Sequence, residues 1–193
     1  MRRLDLVVGP NGAGKTTFVR LTLAPVLPHG TAFVNAGAIA ARRWPADPQR
    51  HAYDAARVAA TTRSALIEAG QSFIAETVFS HPSKLELVDR AHAAAYTVFL
   101  HVLLVPEELG VARVDARVAA GGHPVPEGKI RGRYRRLWPL VADAAAVADF
   151  ATCYDHSAAT GPRIVAQLAG GAPVGAVTWP RWTPAPLATR WPH

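Results

Sequence analysis

Apolar residues along this chain alternate between short continuous runs and stripes of helical spacing. Leu4 to Val8, broken only by Asp5, predicts a buried strand. A helix-forming stretch follows from about Lys15 to Leu23. Pro25 and Pro28-His29-Gly30 mark a turn, and Thr31 to Val34 predicts a second strand. Asp47-Pro48 opens a long helical stretch with Val58, Leu66 and Ile67 among its apolar positions, ending at Gly70. Ser72 to Ala75 predicts a third strand, closing on Glu76-Thr77, and Ser80 or Ser83 is a candidate cap for a helix carrying Leu85, Leu87, Val88 and Ala91. Tyr96 to Val105 is the most hydrophobic run and predicts the central strand.

Pro106-Glu107-Glu108 starts another helix, since the ring fixes a helical φ and the acids suit its positive end. It stops at Gly121-Gly122, where a Gly-Gly-His-Pro turn makes His123 a candidate lid residue. Pro126 opens a further helix with Ile130, Tyr134, Leu137 and Val141 on one stripe, and Pro139 predicts a bend or break in it. Phe150 to Tyr154 reads as a strand, and Arg163 to Leu168 as a strand or short helix. Repeated strand–helix units predict an α/β fold, a doubly wound parallel sheet of the P-loop NTPase type with helices on both faces and a helical lid region. The division expected is a P-loop domain over 1–169 and an irregular Pro- and Trp-rich tail over 170–193.

The candidate chemistry lies at the first strand–helix junction. Residues Gly9-Pro10-Asn11-Gly12-Ala13-Gly14-Lys15-Thr16 read G-x-x-x-x-G-K-[ST], followed by Thr17. The glycines let backbone N–H groups turn inward on a phosphate, and the helix beginning near Lys15 adds its positive end. Lys15 is placed for the β- and γ-phosphates of ATP and the Thr16 hydroxyl for Mg²⁺. In a parallel sheet the ends of strands one, two and three bring Gly9–Thr17, Asn35–Gly37 and Glu76–Ser80 together.

Composition adds little. Half of the 193 residues are hydrophobic, enough for one domain with a sizeable core. The single cysteine, Cys153, excludes an intrachain disulfide and suits a reducing, cytoplasmic setting. The apolar run behind Met1-Arg2-Arg3 ends at Gly9, too short for a signal peptide or a membrane span. The formal net charge is +7, nearly all of it carried by arginine. Arginine forks suit phosphate. The basic segment Arg131 to Arg136 has no repeated aromatic platform for bases, so a nucleic-acid end kinase or binder ranks last among the functions considered.

Several segments in order resemble the zeta-toxin-like P-loop kinases, in particular the small bacterial branch often labelled predicted ABC-type ATPases. Beyond the phosphate loop, these are Phe33-Val34-Asn35-Ala36-Gly37-Ala38-Ile39-Ala40, Glu76-Thr77-Val78-Phe79-Ser80, and Arg113-Val114 with Arg117-Val118, Gly121-Gly122-His123, Val125-Pro126 and Ile130 to Tyr134. The resemblance runs from about Leu4 to Ala169. It implies a kinase fold, Mg-ATP as donor, a hydroxyl of a small acceptor such as UDP-N-acetylglucosamine as recipient, and an antitoxin protein as partner of toxin members. By family position, Arg117 and Arg133 are the candidates to clamp the ATP phosphates, with Arg131, Arg135 and Arg136 read as solvated. Glu76 is a candidate to orient the acceptor or hold Mg²⁺, and Asn35, Thr77 and Ser80 are candidate acceptor contacts.

One position departs from the pattern. Where the family carries an acid, in zeta toxins the proposed general base, this chain has Gly37. Glu76, Asp47 or Asp54 then has to substitute, or the chain is a weak or inactive nucleotide-binding module acting through a partner protein. No strand ends in the Asp of an obvious Walker B element, because the most hydrophobic run continues into Val105-Pro106. This argues against a motor-type ATPase.

Overall fold

The computed structural model describes residues 1–122 and 125–193, so His123 lies outside the described residues. One seven-stranded sheet organises the chain, in the order β2-β3-β1-β4-β5-β6-β7. Its strands are β1 (Arg2–Val8), β2 (Ala32–Asn35), β3 (Phe73–Thr77), β4 (Tyr96–Leu104), β5 (Phe150–Asp155), β6 (Arg163–Ala169) and β7 (Ala172–Pro173). The first five are parallel, as the alternating pattern predicts. β6 and β7 are antiparallel, so the sheet is mixed and the wholly parallel expectation is corrected at this edge. The reason is the connection: the turn between Asp155 and Arg163 is too short for the crossover helix a parallel neighbour needs.

The helices are α1 (Lys15–Phe18), α2 (Ala36–Arg43), α3 (Ala52–Glu68), α4 (Leu85–Ala93), α5 (Glu107–Ala119), α6 (Glu127–Val147) and α7 (Ala185–Arg190). α1 passes into a π-helical turn at Val19–Leu23. Strand alternation divides the core. Leu4, Leu6 and Val8 of β1 pack with Leu87 and Val88 of α4 and with Leu137 and Val141 of α6. Val7 points the other way, against Phe18, Val19 and Leu103. The right-handed crossovers put α3, α4 and α6 on the first face and α1 on the second. Beyond α1 the second face carries Phe99 stacked on Phe150 at 5.0 Å, with Phe150 and Ile164 exposed.

Three expectations change. α6 runs unbroken through Pro139. Leu137, Trp138, Val141, Ala142, Ala144 and Ala145 are buried on it, and that packing outweighs the one hydrogen bond proline removes. The stretch expected from Asp47 to Gly70 is α3, and a helix that the pattern did not predict, α2, precedes it, with Asn35 capping it by accepting the Ala38 N–H at 2.9 Å. The tail is not wholly irregular. It holds β7 and α7, and Trp179, Leu187 and Trp191 join the main core. Trp179 Nε1 donates to the Trp191 carbonyl at 2.7 Å and Trp191 Nε1 to that of Gly171 at 2.9 Å. Large aromatic surfaces meet here without any period that a pattern search detects.

Candidate nucleotide site

β1 delivers the chain to the sheet's carboxyl edge, where the loop from Gly9 turns back into α1. Gly12 and Gly14 stand at φ 77° and 76°, values that suit glycine alone. Gly12 also lies against α5: a Cβ there would sit 2.2 Å from the Gly110 carbonyl oxygen. Inside the loop, Lys15 Nζ donates to the Gly9 and Pro10 carbonyls at 3.0 and 2.8 Å. Its pKa falls to about 8 because burial disfavours the ammonium. The Glu76 charge opposes that fall, and the Arg117 and Arg133 charges add to it. Lys15, Glu76, Arg117 and Arg133, far apart in sequence, therefore share one electrostatic neighbourhood. Thr17 is exposed on α1, two residues beyond Lys15.

Strand register sets the acid. β3 pairs with β1 so that Glu76 lies beside Val7 and Thr77 beside Val8, and with β2 so that Asn35 lies beside Glu76. Thr16 Oγ1 donates to both Glu76 carboxylate oxygens, at 3.0 and 2.8 Å. The acid beside the phosphate-loop threonine is thus a glutamate on β3, not an aspartate on the most hydrophobic strand. Among the described residues no group of three His, Cys, Asp or Glu side chains could hold a metal alone. A hydroxyl and one carboxylate are hard oxygen donors that suit Mg²⁺, which keeps waters and takes phosphate oxygens.

The loop after β3 is strained. Phe79, fully buried, has φ 63°, a costly value for a bulky residue. Thr77 Oγ1 accepts the Phe79 N–H at 3.3 Å, and Ser80 is half-buried just beyond. Neither serine caps the next element. His81 does, its Nδ1 accepting the Ser83 N–H at 3.2 Å ahead of a 3₁₀ turn that leads into α4. The Asn35 oxygen is held by its cap, its NH₂ has no partner among the described residues, and the strand register sets the residue beside Glu76. Gly37 lies in the first turn of α2.

The arginines divide. Arg117 is exposed and Arg133 half-buried, both acting on Lys15. Arg131, read as solvated, joins α5 to α6: its Nη2 donates to Glu108 and its Nε to Glu127, both at 2.8 Å. Arg113 donates to the His156 and Ser157 carbonyls at 2.9 and 3.2 Å. Sequence reasoning missed His156, whose Nδ1 lies 2.7 Å from the Ala13 carbonyl and whose ring covers Gly14. Its only signal is position, one residue past a parallel strand at the ligand edge. Lys129 Nζ stands 5.7 Å from the Tyr53 ring centre, so α6 meets the start of α3.

A family model described as AAA domain matches residues 4–147. No curated protein sequence matches the chain. Among solved structures, the AvrRxo1-ORF1:AvrRxo1-ORF2 complex with sulphate ions superposes with a TM-score of 0.69 at 17% identity, over 90% of this chain and 60% of that one. The same complex with ATP gives 0.67 at 19% identity, with the same coverage. The PezAT chromosomal toxin–antitoxin system of Streptococcus pneumoniae gives 0.59 at 14% identity, over 80% of this chain and 67% of that one. The chain thus spans 60% of the AvrRxo1 chains it matches. At these identities the likeness is one of fold, and at that level it agrees with the zeta-toxin-like resemblance.

Proposed function

The chain belongs to the AAA domain family, and from that premise we propose that it is an ATP-dependent kinase moving the γ-phosphate to a hydroxyl of a small acceptor. The observation that carries the reading is the Thr16–Glu76 contact beside the buried Lys15, with the Arg117 and Arg133 charges acting on the same ammonium. Loose phosphoryl transfer needs positioning and charge neutralisation more than covalent help. In this reading the loop amides from Gly9 to Thr16 hold the triphosphate, and Lys15 releases its carbonyl partners to meet the β- and γ-oxygens. Arg117 and Arg133 take the charge that develops in transfer. Thr16 and Glu76 would hold Mg²⁺, which supplies further neutralisation when bound.

The acceptor enters beside the β3 end, where Glu76, Thr77, Ser80 and the Asn35 NH₂ meet it. Glu76 touches the loop through Thr16, and where it is not taken up by the metal it orients the acceptor hydroxyl in place of the acid that Gly37 lacks. A nucleotide sugar such as UDP-N-acetylglucosamine is a candidate acceptor. A neutralising partner protein and a cytoplasmic setting belong to the same proposal. Incubation with Mg-ATP and a broad acceptor panel, read by mass spectrometry, tests it. A phosphorylated acceptor is expected. Tight ATP binding with no product would favour the second reading, a nucleotide-binding module that works through a partner, which Gly37 motivates.

A further inference from the structure

Arg63 lies on the core-facing side of α3, on the stripe with Ala55, Ala59 and Ile67. It is 7% exposed. Burial alone acts on its guanidinium, which has no carboxylate and no hydrogen-bond acceptor among the described residues. A buried, unpaired arginine is costly, and a chain of this size has little stability to set against it. Among the described residues, the fully enclosed side-chain polar atoms without a partner are Asn11 Oδ1, His101 Nδ1, Trp138 Nε1 and Thr183 Oγ1. No Arg63 nitrogen is among them, so its donors are not fully enclosed.

A second cation faces the same place. Lys84, half-buried at the start of α4, lies close enough to repel Arg63, and only Glu86 on its own helix offsets it. α3 and α4 are held together further down by Arg90 Nη1 donating to Ser64 Oγ at 2.9 Å. Side chains on α3 lean toward its N-terminus, which lifts the Arg63 guanidinium toward the carboxyl edge of β3. That edge holds Thr77 and the strained Phe79 turn. Two like charges that repel one another between α3 and α4, one of them buried, are the complement of a dianion.

We infer that Arg63 and Lys84 form a phosphate-binding subsite, separate from the phosphate loop, for a phosphate group carried by the acceptor. The site itself stands on the unpaired cations; that its ligand is the acceptor rests on the kinase reading. The class of substrate is then a small phosphorylated alcohol, with its phosphate anchored between α3 and α4 and its hydroxyl turned toward Glu76.

The test uses inorganic phosphate, with the phosphate loop saturated by Mg²⁺ and a non-hydrolysable ATP analogue. Phosphate is expected to raise the melting temperature of the wild type above that in chloride at equal ionic strength, in proportion to the logarithm of its concentration. Arg63→Met removes the unpaired charge at similar volume. It is expected to melt at or above the wild-type temperature without phosphate and to lose the phosphate response. Lys84→Met is expected to weaken phosphate about tenfold, and it carries the test if Arg63→Met does not fold. A wild type indifferent to phosphate, or a response that survives both substitutions, overturns the subsite. Failure of the ATP analogue itself to raise the melting temperature counts instead against the kinase reading.

Discussion

Thr16 and Glu76, sixty positions apart, meet because β3 pairs directly with β1, and the threonine hydroxyl donates to both oxygens of the carboxylate. Glu76→Gln keeps an acceptor for that hydroxyl but removes the negative charge. Phosphoryl transfer is expected to fall about 100-fold or more, roughly 2.7 kcal/mol of barrier. Nucleotide affinity measured with a chelator present should hardly change. Equal loss of affinity with and without Mg²⁺ would show that Glu76 serves the loop's structure rather than the metal.

Lys15 makes nucleotide binding depend on pH. Burial lowers its pKa to about 8 from an ordinary 10.5, so the native state sheds this proton before the unfolded state does. Between those values the unfolded chain binds more protons, and this group's contribution to stability rises with pH. A triphosphate favours the ammonium. Binding above pH 8 should therefore take up about one proton, and binding at pH 6.5 about none, as calorimetry in buffers of different ionisation enthalpy would record. Arg117→Ala removes a charge that depresses Lys15 and should move the midpoint upward. Uptake that is the same at both pH values counts against Lys15 as the group responsible.

Arg113 and Arg117 sit four apart on α5 yet should fail differently. Arg117→Ala and Arg133→Ala are expected to cut turnover on the order of 10³-fold with little change in melting temperature. Arg113→Ala strips two carbonyls of their donor and should cost about 1–3 kcal/mol of stability, with a smaller effect on turnover. Matched thermal and kinetic profiles for all three would remove the distinction.

Gly37 has an ordinary helical backbone, and the nearest atom to an added Cβ is Asn35 Oδ1 at 3.1 Å. Gly37→Ala sets about 1 kcal/mol of helix propensity against crowding of the Asn35 cap, so stability should stay within about 1 kcal/mol of the wild type and turnover should not change. Gly37→Asp adds a carboxylate near the positive end of α2 and is expected to raise turnover at least tenfold if a missing base limits the rate. Two variants with the same kinetics as the wild type would show that the base is not limiting.

Trp191 ties the last segment to the body of the protein. Trp191→Ala removes a side chain 5% exposed and should cost about 3–5 kcal/mol. A single cooperative transition at lower temperature is expected by calorimetry. An unchanged melting temperature would mean that residues 170–193 are an appendage.

What could be read in advance depended on how local the cause was. The phosphate loop was legible because its spacing, its glycines and the strand before it all serve one short turn. The parallel strands were legible because burial on both faces leaves continuous apolar runs. The Thr16–Glu76 pair was only half legible: both residues stood out, but their contact depends on which strands are neighbours. His156, Arg63 and the α7 packing had no pattern to give them away, since each depends on contacts between distant segments. Pro139 does not break its helix, because local propensity gave way to the apolar face of α6.

With no side chain between them, Gly12 and Gly110 bring the phosphate loop and α5 backbone to backbone. Such a joint has no slack. Any widening of the loop would meet the backbone of α5, and Arg117 lies on that helix two turns beyond Gly110. In the proposed kinase, the fit of a polyphosphate in the loop would therefore bear directly on the helix that carries Arg117.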